Sequence, residues 1–344
     1  MLRPSVFLLL FAFVFTGCGS SNTPGGNAPP SGPGDGQIEH VIHISVDGLR
    51  PDAVTRFLDT LPAFARLRRQ GAYTDNARTA PTRGNTLPNH ASQITGRVVD
   101  GEEGHGWGTN RYPDTTLTLH NHKGEYVSSV FDVVHAAGRR AALFTSKSKF
   151  AVFENSYRDV LDAYVYDPQT SRLTDHLIDS LRADAFDYAF LHLRDPDTAG
   201  HRFGWRLWGW HPYVRSVRNV DRQIGRILAA IESDPHLRGT TALIVTADHG
   251  GHNHSHGADD RRDYTIPFYV WGPGIRPGDL YKLAEGVRVD PGTDQIQADA
   301  KGQPIRNGDA ANLALSLLGL DAIDHSTLGA ETPLPVREPT LPTF

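Results

Sequence analysis

The sequence of 344 residues contains a single cysteine and a single methionine. One cysteine cannot form a disulfide within the chain, so the fold does not depend on a disulfide framework. The sequence also lacks any long run of lysine and arginine: charged residues make up 21% of the chain, and the formal net charge is −5. We therefore find no electrostatic footprint for nucleic acid. Nothing in the sequence indicates the oligomeric state.

Long hydrophobic runs are scarce as well, and the clearest one is at the amino terminus. Residues 6–15 are apolar, follow Arg3, and are too few to span a bilayer as a helix. Small residues then precede Cys18, and this pattern resembles a bacterial lipoprotein signal. The resemblance implies lipidation of Cys18, with an ordinary secretory signal as the alternative. Both interpretations place the protein outside the cytoplasm, and Gly19 favours lipid anchoring at the outer membrane.

Residues 18–37 consist mainly of glycine, serine, proline and asparagine, a composition that cannot bury a core. The sequence therefore predicts three parts. Residues 1–17 are a signal peptide, residues 18–37 are a flexible tether, and residues 38–344 form one folded domain.

Within that domain, apolar β-branched runs alternate with amphipathic segments of helical period. The predicted strands are 38–46, 140–145, 186–193, 241–246 and 264–271, and the predicted helices are 61–70, 88–95, 128–137, 171–182, 214–231 and 310–320. This alternation predicts an α/β fold, a three-layer sandwich with a mostly parallel central sheet covered by helices on both faces.

Acidic and histidine side chains follow several of the predicted strands, and the chain contains 17 histidines. The candidate ligands are Asp47, Asp197, His201, Asp248, His249 and His256. Because the carboxyl ends of parallel strands meet at one edge of a sheet, we expect these groups to lie close together. Carboxylate and imidazole are ligands that suit Zn²⁺, and two sets of three could hold two ions.

Residues 82–90 add a threonine, Thr86, at the start of a predicted helix, where backbone N–H groups and the helix dipole favour an anion. Residues 86–90 are similar to the nucleophile motif of the nucleotide pyrophosphatase/phosphodiesterase branch of the alkaline phosphatase superfamily. Further motifs follow in the family's order: residues 46–48, His105-Gly106 with Asn110, residues 195–201, residues 247–250, and His256-Gly257. The resemblance covers residues 38–320 and implies an alkaline phosphatase-like hydrolase domain with a minimal cap.

The resemblance implies two zinc sites and a role for each candidate residue. Asp47, Asp248 and His249 would hold one zinc ion, and Asp197, His201 and His256 would hold the other. Thr86 would bind metal and attack phosphorus, giving a phosphothreonine intermediate, while Asn110 and the backbone N–H of Thr86 or Leu87 would hold the phosphoryl oxygens. His252 and His254 remain alternatives to His256.

The substrate implied is a small phosphate ester, with phosphodiesters such as nucleotide derivatives favoured. Lys147 and Lys149 resemble the Lys-x-Lys motif of phosphonoacetate hydrolases and favour a phosphomonoester or phosphonate instead. A catalytically inactive zinc-binding lipoprotein is the alternative that is not an enzyme. Trp205, Trp208 and Trp210 could wall a substrate pocket or cover core, and His192 is predicted to be a core or surface residue.

Overall fold

The computed structural model describes residues 36–112 and 116–338. The predicted signal peptide, the lipidation site at Cys18 and nearly all of the predicted tether lie outside the described residues. None of the helices within the described ranges has the length and apolar character needed to traverse a bilayer.

The described residues form one eight-stranded sheet. Its strands are β1 His40–Val46, β2 Ala72–Arg78, β3 Ala141–Thr145, β4 Ala163–Tyr166, β5 Tyr188–Leu193, β6 Thr241–Thr246, β7 Thr265–Trp271 and β8 Gly278–Asp279. Their spatial order is β4-β3-β5-β1-β6-β7-β2-β8. The five strands from β4 to β6 in this order are parallel, and β7 runs antiparallel to both of its neighbours.

Helices connect and cover these strands. They are α1 Pro51–Arg56, α2 Pro62–Gln70, α3 Thr86–Thr95, α4 Leu119–Lys123, α5 Val130–Ala136, α6 Ala151–Tyr157, α7 Thr170–Asp184, α8 Asp195–Phe203, α9 Pro212–Ser233, α10 Arg261–Tyr264, α11 Leu280–Leu283 and α12 Asp309–Leu317. Helix α9 packs against α2, α7 and α8, whereas α12 packs against α3 and α5. Every residue of β3, β5, β6 and β7 is buried, as expected for strands covered on both faces.

The predicted α/β fold with its mostly parallel, helix-covered sheet is confirmed. Several predicted boundaries are wrong by one to three residues, because terminal turns and strand ends depend on tertiary contacts. Helix α3 begins at Thr86 rather than at residue 88, since Asn85 already has the extended backbone of an N-cap residue. The sequence prediction also omitted β2, β4 and β8.

Candidate active site

The carboxyl ends of four adjacent parallel strands, β3, β5, β1 and β6, meet at one edge of the sheet. Asp47 directly follows β1, and Asp248 follows β6 by two residues. Helix α8 begins two residues after β5 and carries Asp197 and His201 one turn apart, so these two side chains share a face. The structure therefore brings the predicted ligands together.

Each of the three aspartates uses one carboxylate oxygen to accept hydrogen bonds from the protein. Asp47 Oδ2 accepts from His192 Nε2 at 3.0 Å and from Lys147 Nζ at 2.6 Å. Lys147 Nζ also donates to Asp197 Oδ2 at 2.6 Å. Asp248 Oδ1 accepts from the backbone N–H of Gly48 at 3.1 Å and of His249 at 2.9 Å. These donors fix the orientation of all three carboxylates.

The second oxygen of each carboxylate is buried and accepts no hydrogen bond from the described residues: Asp47 Oδ1, Asp197 Oδ1 and Asp248 Oδ2. A buried carboxylate oxygen without a donor is costly unless a cation compensates it. Three such oxygens in one cluster favour bound metal.

The rings of His249 and His256 face these oxygens, and in each ring the nitrogen on that side, Nε2, is unprotonated. His249 Nδ1 donates to the Gly250 carbonyl at 2.8 Å, and His256 Nδ1 donates to the Gly84 carbonyl at 2.9 Å. Burial lowers the pKa of both histidines, that of His256 to about 3, so the rings are neutral and their Nε2 atoms carry lone pairs. His249 Nε2 lies 3.2 Å from Asp248 Oδ2 and 3.5 Å from Asp47 Oδ1.

His201 completes the second group of ligands. Its Nδ1 lies 3.0 Å from the His254 carbonyl, and its Nε2 lies 3.2 Å from Asp197 Oδ1. His256 Nε2 approaches the same oxygen at 3.7 Å. The Asp197 carboxylate raises the pKa of His201 above its ordinary value. The lone pairs of the neutral His249 and His256 rings and the carboxylate oxygens that they face repel each other unless a cation lies between them. Histidines fixed through Nδ1 are typical of metal sites.

Two overlapping candidate metal clusters accordingly lie at this edge of the sheet, and a third group, His252, Asp260 and Asp263, lies in the segment that follows β6. One consists of Asp197, His201 and His256, and the other of Asp47, Asp197 and His249; within each, one ligand atom per residue lies within 4.8 Å of the others. The first matches the predicted set. The second contains Asp197 where the prediction has Asp248, whose Oδ2 reaches the same His249 nitrogen.

The charges at this edge of the sheet are strongly coupled. Burial opposes ionisation of Asp47, but the Lys147 ammonium and the hydrogen bond from His192 outweigh it and hold the pKa of Asp47 well below its usual range. Burial and the Asp47 charge raise the pKa of Asp248 well above its usual range. Burial would lower the pKa of Lys147, but Asp47 and Asp197 raise it above its ordinary value.

Thr86 is the first residue of α3 and is buried beside the candidate ligand His249. Its Oγ1 lies 3.5 Å from His249 Nε2. Within the same motif, His90 Nδ1 donates to the Thr86 carbonyl at 2.7 Å and His90 Nε2 accepts from Ser45 Oγ at 2.8 Å. Asn89 Nδ2 donates to the carbonyls of Arg83 and Asn85. His90 thus links the Thr86 backbone to β1, and Asn89 links the start of α3 to the loop that precedes it.

Asn110 and Lys149 lie next to the start of α3. Asn110 Oδ1 accepts from the Leu87 backbone N–H at 3.1 Å and from Lys149 Nζ at 2.9 Å. The Asn110 Nδ2 group and the remaining Lys149 protons are the donors left for a bound anion. Burial and the Lys147 charge lower the pKa of Lys149, which is consistent with two ammonium groups in one site.

Trp205 packs against the rings of two candidate ligands, His201 and His256. Its indole is buried, donates to the Gly48 carbonyl at 3.0 Å, and lies 5.2 Å from the His201 ring and 6.2 Å from the His256 ring between centroids. Trp208 and Trp210 are exposed instead. The predicted core role therefore fits Trp205 and is wrong for Trp208 and Trp210.

Sequence reasoning missed the contact between His192 and Asp47. A histidine inside an apolar strand gives no signal of its own, and only the pairing of β5 with β1 places the ring at the carboxylate. His252 and His254 lie outside the two clusters at the sheet edge: His252 pairs with Asp263 at 2.7 Å within the third candidate group, and His254 is exposed with Nδ1 at the His201 carbonyl. Lys147, predicted to bind substrate, bridges Asp47 and Asp197 in the structure.

The arrangement of the sheet and its helices defines an alkaline phosphatase-like fold. A structure of an inactive murine ectonucleotide pyrophosphatase/phosphodiesterase 5 in complex with AMP has a TM-score of 0.62 at 16% identity, covering 86% of this chain and 99% of that one. At this level of identity the likeness shows the fold alone.

Residues 41–265 match the type I phosphodiesterase/nucleotide pyrophosphatase family, and the chain belongs to this family. The GPI ethanolamine phosphate transferase 1 of Neurospora crassa is 31% identical over 164 residues, which are 46% of this chain and 16% of that protein. The bis(5'-adenosyl)-triphosphatase of Xenopus laevis is 23% identical over 254 residues, 71% of this chain and 52% of that protein. The chain thus spans about half or less of the length of these curated relatives.

Proposed function

We propose that this protein is a two-metal hydrolase of phosphate esters, of the phosphodiesterase/nucleotide pyrophosphatase type, with Thr86 as its nucleophile. One observation carries the proposal: buried carboxylate oxygens without donors and unprotonated imidazole nitrogens converge beside the Thr86 hydroxyl. Family membership supports the same chemistry.

The donor set of aspartate and histidine fits Zn²⁺. Asp47, Asp248 and His249 would hold one ion, and Asp197, His201 and His256 the other. When bound, such ions lower the barrier by stabilising the attacking and leaving oxygens of an in-line displacement.

The residues of the chain itself position the reacting groups. Asn85 and the first turn of α3 present Thr86 Oγ1 toward His249, so the hydroxyl can attack phosphorus from the sheet edge. Asn110 Nδ2 and Lys149 Nζ would bind the non-bridging oxygens, where negative charge builds during the displacement. Loss of the alcohol leaving group gives a phosphothreonine, which water then hydrolyses.

The substrate class is proposed from the family and its relatives. A bis(5'-adenosyl)-triphosphatase is among the similar proteins, and one similar structure is a complex with AMP; both favour a nucleotide-like phosphodiester or pyrophosphate. A phosphomonoester is the second candidate, because Lys149 lies at hydrogen-bond distance from Asn110 and a monoester carries the additional charge that an ammonium group would compensate.

The amino-terminal sequence supports a location in the bacterial cell envelope. We propose that lipidated Cys18 anchors the protein on the periplasmic side, at the outer membrane. This proposal rests on sequence alone.

The direct test is turnover by wild type, Thr86→Ala and Thr82→Ala on aryl phosphate mono- and diesters, with metal content measured for each. Removal of the nucleophile should lower kcat by at least about a thousandfold, while two metal ions per chain remain. Thr82 is exposed and lies four residues earlier, so its variant controls for the loss of a threonine side chain. Full turnover in Thr86→Ala would refute the mechanism, and a metal-loaded wild type inactive on both esters would favour the non-enzymatic alternative.

A further inference from the structure

A groove between helices α8 and α9 is lined by an unusual number of arginines. The five are Arg194, Arg202, Arg215, Arg218 and Arg222. Three of them are exposed and two are half-buried. We call this surface the arginine groove.

No carboxylate of the described residues lies within ion-pairing distance of these five guanidinium groups. Their recorded partners are neutral: Arg222 donates to Asn219 Oδ1 at 2.7 Å, and Arg218 donates to Thr60 Oγ1 at 3.2 Å. The acidic residue of the groove, Asp195, is hydrogen-bonded to the hydroxyl of Thr170 and the amide of Asn219. In a chain of net charge −5, this groove is a local concentration of positive charge, with five arginines and one aspartate among its lining residues.

Exposed aromatic side chains adjoin the groove. Phe203, Trp208 and Trp210 are 42%, 62% and 86% exposed, and Trp210 lines the groove itself. Among the described residues they are the exposed phenylalanine and tryptophan side chains, and they fall within eight consecutive positions. Large apolar rings grouped in this way beside cations mark an interaction surface.

The position of the guanidinium groups favours one kind of partner. Guanidinium groups lie over one face of each ring: Arg202 over Phe203 at 5.0 Å, Arg206 over Trp208 at 5.2 Å and Arg218 over Trp210 at 5.5 Å. Single-stranded nucleic acid binds by base stacking on open ring faces, and these contacts leave one such face on each ring instead of two. At a bilayer surface, in contrast, aromatic rings lie at the headgroup level while nearby cations contact lipid phosphates.

We propose that the arginine groove and its three exposed rings dock on an anionic phospholipid surface. The arginines bind lipid phosphates, and the rings enter the interface between headgroups and acyl chains. Helix α8 carries Asp197 and His201 as well as Arg202 and Phe203, so docking would fix the orientation of the candidate active site relative to the bilayer. The proposal depends neither on lipidation of Cys18 nor on the chemistry of the site.

The test measures binding of the full chain to vesicles of phosphatidylcholine with increasing phosphatidylglycerol, at low and high salt. The groove variant combines Arg202→Glu with Arg215→Glu. The matched control combines Arg182→Glu with Arg238→Glu, two exposed arginines outside the groove with the same change in charge. A third variant combines Trp208→Ala with Trp210→Ala. The amino-terminal segment is identical in wild type and all variants, so its contribution to vesicle binding cancels when they are compared.

We expect wild type and the control to bind more tightly as the anionic lipid increases, with the increment screened by salt. The groove variant should lose at least about tenfold in the partition coefficient on anionic vesicles, and none on neutral ones. The tryptophan variant should bind more weakly on both. Unchanged melting temperature and ester turnover would show that the variants are folded.

Two results would overturn the proposal. The first is an equal loss of binding to anionic vesicles in the groove variant and the control variant. Such a loss would show that vesicle binding depends on the net charge of the protein and not on the arginine groove. The other is loss of binding to a fluorescent oligonucleotide in the groove variant while vesicle binding is unchanged, which would assign the groove to nucleic acid.

Discussion

At the scale of single residues, each site aspartate uses one oxygen for the hydrogen bonds that position it and leaves the other for the proposed metal. Lys147 and His192 hold Asp47 Oδ2, and backbone N–H groups hold Asp248 Oδ1, so the remaining oxygens point into the cluster already oriented. Oriented ligands of this kind reduce the reorganisation that accompanies metal binding. Lys147 in addition offsets the mutual repulsion of Asp47 and Asp197.

Substitution of Lys149 should affect the hydrolysis of a phosphomonoester more than that of a phosphodiester. Lys149→Ala removes an ammonium group beside Asn110, so kcat/KM for an aryl monoester should fall by roughly a hundredfold. The loss on the matching diester, which carries one charge fewer, should be less than about tenfold. The measurement is the ratio of the two kcat/KM values.

Lys301→Ala serves as the control, because Lys301 is exposed and does not belong to the site. Equal losses on both esters in Lys149→Ala would contradict a role in charge discrimination. They would indicate that Lys149 acts by positioning Asn110.

At the scale of elements, Trp205 joins α8 to the loop that follows β6. A Cβ atom added at Gly200 or at Gly251 would lie 2.3 Å from the indole, so only glycine fits at both positions. The indole also contacts the rings of His201 and His256. The glycines therefore set how closely the two metal-ligand segments approach each other.

Gly200→Ala should force the indole to move, lower the free energy of unfolding by about 1–3 kcal/mol, and weaken metal binding by His201 and His256. Gly225→Ala is the matched control, since Gly225 lies in α9 and its added Cβ would meet only the Ala63 Cβ at 3.8 Å. That variant should be neutral or slightly stabilising. Chemical denaturation and zinc titration of both variants measure the difference; equal stability would refute the role of Trp205 packing.

The elements also show what the sequence could predict. The carboxyl ends of β1, β3, β5 and β6 were predicted correctly, because their apolar runs end within two residues of a charged residue, whereas the starts of β1, β3 and β5 were predicted one or two residues early. Strand β2 was missed because it contains Asp75 and Asn76, and its pairing with β7 shifts register between Thr74 and Ala77. The antiparallel direction of β7 could not be predicted. Every residue of this strand is buried, so its hydrophobic pattern is the same whichever way the strand runs.

The sequence likewise predicts some contacts of the candidate site and not others. Ligands at strand ends were predictable because carboxyl ends of parallel strands share an edge. The Lys147 bridge and the Asp47–His192 contact depend on the pairing of β1, β5 and β3, which periodicity does not specify.

At the scale of the whole molecule, Asp221 couples stability to pH. This residue of α9 accepts a hydrogen bond from the Phe64 backbone N–H at 2.9 Å, at the start of α2. Burial raises the pKa of Asp221 to about 6, although the backbone hydrogen bonds oppose the rise. The folded state thus holds the proton more tightly than the unfolded state, so stability falls as pH rises from about 4 to 6.

Asp221→Asn keeps the acceptor and removes the charge. We expect the variant to be more stable than wild type by roughly 1–2 kcal/mol at pH 7 and equally stable near pH 4. Urea denaturation at both pH values tests this. A variant that is less stable than wild type at neutral pH would show that the ionised carboxylate is favourable.

The proposed mechanism is a double displacement through Thr86, and the stereochemistry at phosphorus tests it most directly. A thiophosphate ester with a chiral phosphorus centre is hydrolysed in isotopically labelled water, and the configuration of the product is determined. Each in-line displacement inverts the centre, so two displacements through a covalent phosphothreonine predict net retention. Net inversion would mean that water attacks the ester directly, and it would contradict the account.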